Sequence, residues 1–230
     1  MLVLGIETAT ERLGLAIARG EHAIAELELD VGRRHAEQLA QALDGLLSGA
    51  ELGARDLDVI AVSIGPGSFT GLRIGLAFAK GLAMALQKPM IGVPTLDVLA
   101  RGAEPWIGPV VACLDARRGE VYFSTYELAP GRMETLDPSA AVGSAERVTE
   151  RVRALGRRVL LVGSGADLIP VAAGLDIVRA PRRLGWPRAG LVAALGSERF
   201  ANGAHEEPDH VEPIYVRRSD AELRSLAGRT

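Results

Sequence analysis

The sequence predicts an α/β fold in two related halves, each a mixed sheet with flanking helices and the second half reduced. Three observations carry this. Residues 1–104 read strand, strand, strand, helix, strand, helix, and close with a short strand and helix. A comparable order restarts at Val110 after Glu104-Pro105-Trp106-Ile107-Gly108-Pro109, whose two prolines and glycine mark a linker. Between Leu57 and Gln87 a short apolar run, a glycine turn and a long apolar helix pattern follow one another, which is a buried strand feeding a core helix. The expected division is 1–104 for the first lobe and 105–218 for the second, with a helix over 187–202 and the tail docking back, and a frayed end over 219–230.

Leu2-Val3-Leu4-Gly5-Ile6 is apolar enough for a central strand. Leu13 to Ala18 and Ala23 to Leu29 alternate, with Arg19-Gly20-Glu21 as the hairpin turn between them. Arg33 to Ser48 forms an amphipathic helix with His35, Leu39, Leu43 and Leu47 on one row. Leu57 to Ser63 is the next strand. In Gly65-Pro66-Gly67-Ser68-Phe69-Thr70 the glycines permit close backbone approach, and Ser68 or Thr70 can cap the helix that follows.

That helix, Gly71 to about Gln87, has three distinct rows. Gly71, Gly75, Ala79 and Ala83 make a ridge almost without side chains. Ile74, Phe78 and Leu82 are the bulky row beside it, and Arg73, Lys80 and Gln87 form a narrow polar seam. Each internal glycine costs about 1 kcal/mol against alanine, so close approach by another backbone is expected along the ridge. Two readings stay open: a core helix of this chain, or a helix shared with a partner subunit.

In the second half, Val110 to Asp115 and Glu120 to Glu127 are strands around Ala116-Arg117-Arg118-Gly119, and a third strand includes Met133 to Leu136. Ala145 to Leu155 is helical and Arg158 to Val162 a buried strand, followed by the small turn Gly163-Ser164-Gly165. The last helix pattern, from Trp186-Pro187 to about Asn202, suits docking between the halves.

Composition narrows the function. Of 230 residues 48% are hydrophobic and 4% aromatic, so Ala, Leu, Val and Gly must do the packing. A net charge of −3 gives no global basic field for nucleic acid. The single cysteine, Cys113, excludes an internal disulfide framework and, in its apolar strand, reads as an inert thiol. Nothing at the N-terminus reads as a signal peptide, and the longest apolar stretches carry Arg73 and Lys80 or are too short to span a bilayer. A cytoplasmic protein is expected.

No catalytic set emerges. The glycine turn lacks the Gly-Lys-Ser/Thr ending of a phosphate loop, and Thr70 stands where a dinucleotide fingerprint needs its last glycine. His205-Glu206-Glu207-Pro208-Asp209-His210 reads as a solvated surface run rather than a metal site. No metal site is expected.

Ile64-Gly65-Pro66-Gly67-Ser68-Phe69-Thr70-Gly71-Leu72-Arg73-Ile74-Gly75 closely resembles the signature of the TsaB family. Asp115-Ala116-Arg117-Arg118-Gly119-Glu120-Val121-Tyr122 and Pro213-Ile214-Tyr215-Val216-Arg217 resemble two further elements of that family. The resemblance implies the two-lobed superfold of actin, Hsp70 and sugar kinases. In that superfold Glu7-Thr8-Ala9-Thr10 would be the first phosphate hairpin, Arg117 and Arg118 would stand in the second, and Gly163 to Gly165 would be the adenosine loop. Catalytic relatives hold a metal with two histidines four apart on the first helix; here Leu39 stands at the second place.

The resemblance further implies a supporting subunit for threonylcarbamoyl transfer to the N6 amino group of the adenosine beside the anticodon, in tRNAs reading codons that begin with A. Its partner would be the catalytic TsaD, joined by the ATPase TsaE, with tRNA met only through the complex and self-pairing as a further state. ATP would serve the wider pathway, with no cofactor on this chain. The expected partner interface comprises His35, Leu39, Leu43, Phe69, Gly71, Leu72, Arg73, Gly75, Leu76 and Ala79. Glu7, Thr8, Gly67 and Ser68 are the expected vestigial or interfacial nucleotide contacts. The alternative is a small phosphotransferase of the acetate- or sugar-kinase class, binding ATP at Glu7, Thr8 and Gly163 to Gly165.

Overall fold

In the computed structural model, residues 1–32, 34–171 and 173–217 are described; Arg33, where the first helix was expected to start, and the expected frayed end lie outside them. Strands β1 (Leu2–Glu7), β2 (Arg12–Arg19), β3 (His22–Asp30), β4 (Val59–Ser63) and β5 (Met90–Val93) form one sheet in the order β3-β2-β1-β4-β5. The β1–β2 and β2–β3 pairs are antiparallel, and β4 and β5 add in parallel.

The second sheet repeats this plan. Strands β6 (Gly108–Arg117) and β7 (Glu120–Ala129) are antiparallel, β8 (Arg132–Thr135) and β9 (Ala141–Ser144) pair with β7, and β10 (Val159–Val162) and β11 (Ile177–Arg179) add in parallel beyond β6. The duplication expected from the sequence is therefore present. Strands β9 and β11 had no reading: each is short and only partly buried, so neither shows strong alternation.

Helices α1 (His35–Gly49), α2 (Phe69–Leu86), α3 (Thr95–Arg101), α4 (Ala145–Leu155) and α5 (Ala189–Ala201) complete the fold. Their packing follows strand alternation. Leu4, Ile6, Ile60 and Val62 point to α1 and α2, whereas Val3, Val59 and Ala61 point to Val192, Ala193 and Leu195 of α5. In the second sheet Val110, Ala112 and Leu114 meet Leu96, Leu99 and Ala100 of α3, and Val111, Cys113 and Leu161 meet Val148 and Val152 of α4.

The layers thus run α1/α2, first sheet, α5 with α3, second sheet, α4. The helix late in the chain covers the first sheet, while α3, early in the chain, covers the second. Close approach makes this possible: a Cβ on Gly5 would stand 2.3 Å from Ala189 O, and one on Gly196 2.4 Å from the Ala61 Cβ. Between the lobes, Asp97 of α3 accepts from Tyr126 Oη of β7 at 2.9 Å and from Arg199 of α5 at 2.9 Å. Burial pushes the Asp97 carboxyl up, against the opposing pull of Tyr126 and Arg199.

Candidate functional site

Two features occupy the first lobe's outer face and the groove between lobes: the α1–α2 helix pair and an open cleft. Both depend on how α2 begins. Ser68 is the N-cap, its Oγ accepting from the Gly71 N–H at 3.2 Å. Its own N–H donates to Ala9 O at 2.6 Å, which pins the glycine turn onto the β1–β2 turn. A Cβ on Gly67 would lie 2.3 Å from Ala9 O, one on Gly71 2.1 Å from Thr8 O, and one on Gly75 2.0 Å from Thr8 Oγ1.

The small-residue ridge therefore faces inward, onto the chain's own hairpin, and most of the residues expected at the partner interface are packed within the chain. Gly71, Leu72, Gly75, Leu76 and Ala79 are buried along α2, and His35, Leu39 and Leu43 along α1. His35 Nε2 lies 3.2 Å from Arg12 O, tying the helix start to β2. The two sequence readings of the ridge are separated by which row meets the sheet, and a smooth ridge suits the tightest internal contact.

Phe69 and Arg73 are also engaged within the chain. The Arg73 guanidinium sits 3.8 Å from the Phe69 ring centroid, and its Nε donates to Tyr215 Oη at 3.0 Å. Tyr215 is 43% exposed, and its ring lies 5.1 Å from that of Phe69. Residues 211–217 lie against the body, with Val211 in the first lobe's core and the Ile214 N–H donating to Ile64 O at 2.7 Å.

A different set faces outward. Ala77, Gly81 and Ala85 form a second small ridge on α2, exposed and flanked by half-buried Ile74, Phe78 and Leu82 and by Met84 at 60% exposure. On the adjoining α1, Gln41, Gly45 and Ser48 are exposed. A Cβ on Gly45 or Gly81 would meet nothing within 4 Å. These two helix glycines carry the usual penalty of about 1 kcal/mol each with no internal contact to offset it. By length and composition alone α2 is apolar enough to cross a membrane, but it carries Arg73 and Lys80 and its inner side is packed on the first sheet.

The cleft between the lobes encloses about 860 Å³. Thr10, Gly67, Ser68 and His35 line it from the first lobe, Asp115, Tyr122 and Ser164 from the second, and Tyr215 and Arg217 from the tail. An Arg117–Glu11 ion pair spans from one lobe to the other. Arg117 and its neighbour Arg118 sit at positive φ in the turn between β6 and β7.

Glu7 and Thr8 are not part of this lining. Both are fully buried. Glu7 Oε1 accepts from the Ala9 N–H at 2.6 Å, while its Oε2 and Thr8 Oγ1 have no hydrogen-bond partner. Burial pushes the Glu7 carboxyl up to about 8, so it is neutral at pH 7. A neutral, enclosed acid offers no charge to a metal or a nucleotide's counter-ion. The expected nucleotide contacts thus divide: Gly67 and Ser68 face the cleft, and Glu7 and Thr8 are withdrawn beneath α2. The phosphotransferase alternative relied on that pair. Of its other contacts, Ser164 lines the cleft and accepts from the Asp115 N–H at 3.2 Å, whereas a Cβ on Gly163 would strike Cys113 O at 2.0 Å.

Among the described residues no three His, Cys, Asp or Glu side chains gather as a metal cluster. Glu206 of the acidic run pairs its backbone with Met90. Burial raises the Cys113 thiol to about 12, and its Sγ lies 3.5 Å from Val162 O. The interlobe trio Asp97, Tyr126 and Arg199 escaped sequence reading, because single polar residues on three separate elements leave no spacing signal.

The family described as TsaD, tRNA N6-adenosine threonylcarbamoyltransferase, matches residues 29–156. The chain is 33% identical over 232 aligned positions to the tRNA threonylcarbamoyladenosine biosynthesis protein TsaB of Escherichia coli strain K12, covering 100% of both. It superposes on YeaZ from Pseudomonas aeruginosa with a TM-score of 0.79 and 30% identity, covering 93% of this chain and 99% of that one. The ROK hexokinase from Thermus thermophilus shares the fold at a TM-score of 0.51 and 14% identity, covering 88% of this chain and 100% of that one. The duplicated sheets and the full-length match agree, and the chain belongs to the TsaB family of tRNA threonylcarbamoyladenosine biosynthesis proteins.

Proposed function

We propose that this chain is a non-catalytic subunit that supports threonylcarbamoyl transfer to the N6 amino group of the adenosine beside the anticodon, by pairing with TsaD. Family membership supports the pathway. The outward ridge Ala77-Gly81-Ala85, next to Gly45 and rimmed by Ile74, Phe78, Leu82 and Met84, carries the pairing. Small residues on both helices let two further helices approach within van der Waals distance, and the bulky rim fills the grooves beside them. The result is a four-helix bundle that steadies the partner's active cleft. On this reading the interface lies one row around α2 from the residues that the sequence suggested.

The same face serves self-pairing when the partner is absent. TsaE joins the pair, tRNA is met through the complex, and ATP is used by the wider pathway rather than held here. The setting is the cytoplasm.

Sedimentation of the chain with TsaD tests the reading. Gly81→Trp should abolish the heterodimer while leaving the thermal transition of the isolated chain intact, because open space surrounds Gly81. A Gly81→Trp chain that still pairs with undiminished affinity would refute this face as the interface.

A further inference from the structure

The polar seam of α2 had no role in the pairing face, and the terminal Pro-x-Tyr-x-Arg element had none in the cleft's chemistry. The structure joins them. Lys80 Nζ donates to Asp209 O at 3.2 Å, and one helical span earlier Arg73 Nε donates to Tyr215 Oη at 3.0 Å. The seam is a track along which residues 208–215 run towards the helix start. Val211 is sunk in the first lobe's core, and the Ile214 N–H donates to Ile64 O at 2.7 Å.

The chain then crosses to the other lobe. Val216 packs on the second lobe's core. Arg217 donates to Glu120 at 3.0 Å and to Ala116 O at 2.9 Å, both on the second lobe. Both lobes are thus gripped by one continuous segment that itself lines the cleft. Two further interlobe ties are the Arg117–Glu11 ion pair and Asp97 with Tyr126 and Arg199, the latter involving α3 and α5 between the two sheets.

We infer that residues 208–217 are a strap that fixes the opening of the interlobe cleft, with α2 as its anchor in the first lobe and Arg217 as its anchor in the second. Folds of two lobes around a cleft close and open by hinge rotation. Here that rotation is restrained without a ligand, by a covalently attached segment. Because the strap lies on α2, it also couples the lobe angle to the helix that presents the outward ridge.

The test is a spin-label distance across the lobes in the full chain. Labels are placed on Arg55→Cys and Arg153→Cys, both exposed, and diluted with unlabelled chain so that only intramolecular pairs are read. The intact strap predicts one narrow distance distribution. Tyr215→Ala with Arg217→Ala predicts a broader distribution with a shifted mean, with far-UV dichroism unchanged. Arg217→Ala alone releases only the second-lobe anchor and should broaden it too, so the test stands even if loss of Tyr215 compromises folding. Distributions identical to the intact chain in both variants would overturn the strap. The readout needs no partner, so its outcome is independent of the pairing test.

Discussion

Replacing Gly75 with alanine separates the inward reading of the ridge from the outward one. The added Cβ would stand 2.0 Å from Thr8 Oγ1, 3.1 Å from Thr8 Cβ and 3.2 Å from Thr8 Cγ2. Thr8 is fully buried, so its side chain has little room to turn away. Overpacking of this kind costs about 1–3 kcal/mol, and the better helix propensity of alanine returns about 1 kcal/mol. The expected net is about 0–2 kcal/mol of destabilisation, which for a chain of this size lowers Tm by up to about 8 °C. Gly81→Ala is the control: its Cβ meets nothing within 4 Å, so propensity alone should raise Tm by about 2–4 °C. The decisive assay is a double-mutant cycle by urea unfolding. In a Thr8→Ala background Oγ1 and Cγ2 are gone, and Gly75→Ala should cost less by about 1–2 kcal/mol. An unchanged cost in that background would show that the ridge does not rest on Thr8, and the inward assignment would fall.

Glu7 supplies a pH dependence. Its carboxyl is raised from 4.5 to about 8 by burial, so the native state holds a proton that the unfolded chain releases. That contribution is complete below the unfolded value and is lost as pH rises through about 8; urea unfolding between pH 5 and 9 should show the decline, flattened in Glu7→Gln. Tyr126→Phe removes a hydrogen bond to the buried Asp97 carboxylate and should cost about 1.5–3 kcal/mol in the same assay. Cys113, with its thiol pushed up to about 12 and fully enclosed, should resist a disulfide reagent in the native chain and react once the chain is unfolded in denaturant.

Much of the architecture was legible because the relevant signals are local. Apolar runs such as Leu2 to Ile6 and Val159 to Val162 announce buried strands, and Ala145 to Leu155 matches α4 at both ends. The functional face was harder. Residues every four along α2 give two small ridges, Gly71-Gly75-Ala79-Ala83 and Ala77-Gly81-Ala85, and periodicity cannot say which meets the sheet. The glycine-rich ridge drew the reading outward, whereas the hairpin at Thr8 and Ala9 needs it inside. Leu39 and Leu43, expected at the interface by the same reasoning, are packed in the first lobe's core. Glu7 looked like a cleft residue because it follows a strand; its enclosure depends on the glycine turn folding over it, a contact between segments some sixty residues apart. Likewise the seam of Arg73 and Lys80 has meaning only once residues 209–215 are laid along it.

The central claim is that this chain contributes a surface, not chemistry, to threonylcarbamoyl transfer. The most direct measurement is tRNA threonylcarbamoylation in a reconstituted mixture of TsaD, TsaE, threonylcarbamoyl-adenylate, ATP and tRNA, run without this chain, with it, and with Gly81→Trp. The account predicts modification only with the intact chain and loss with the variant. Equal modification in all three reactions would contradict it.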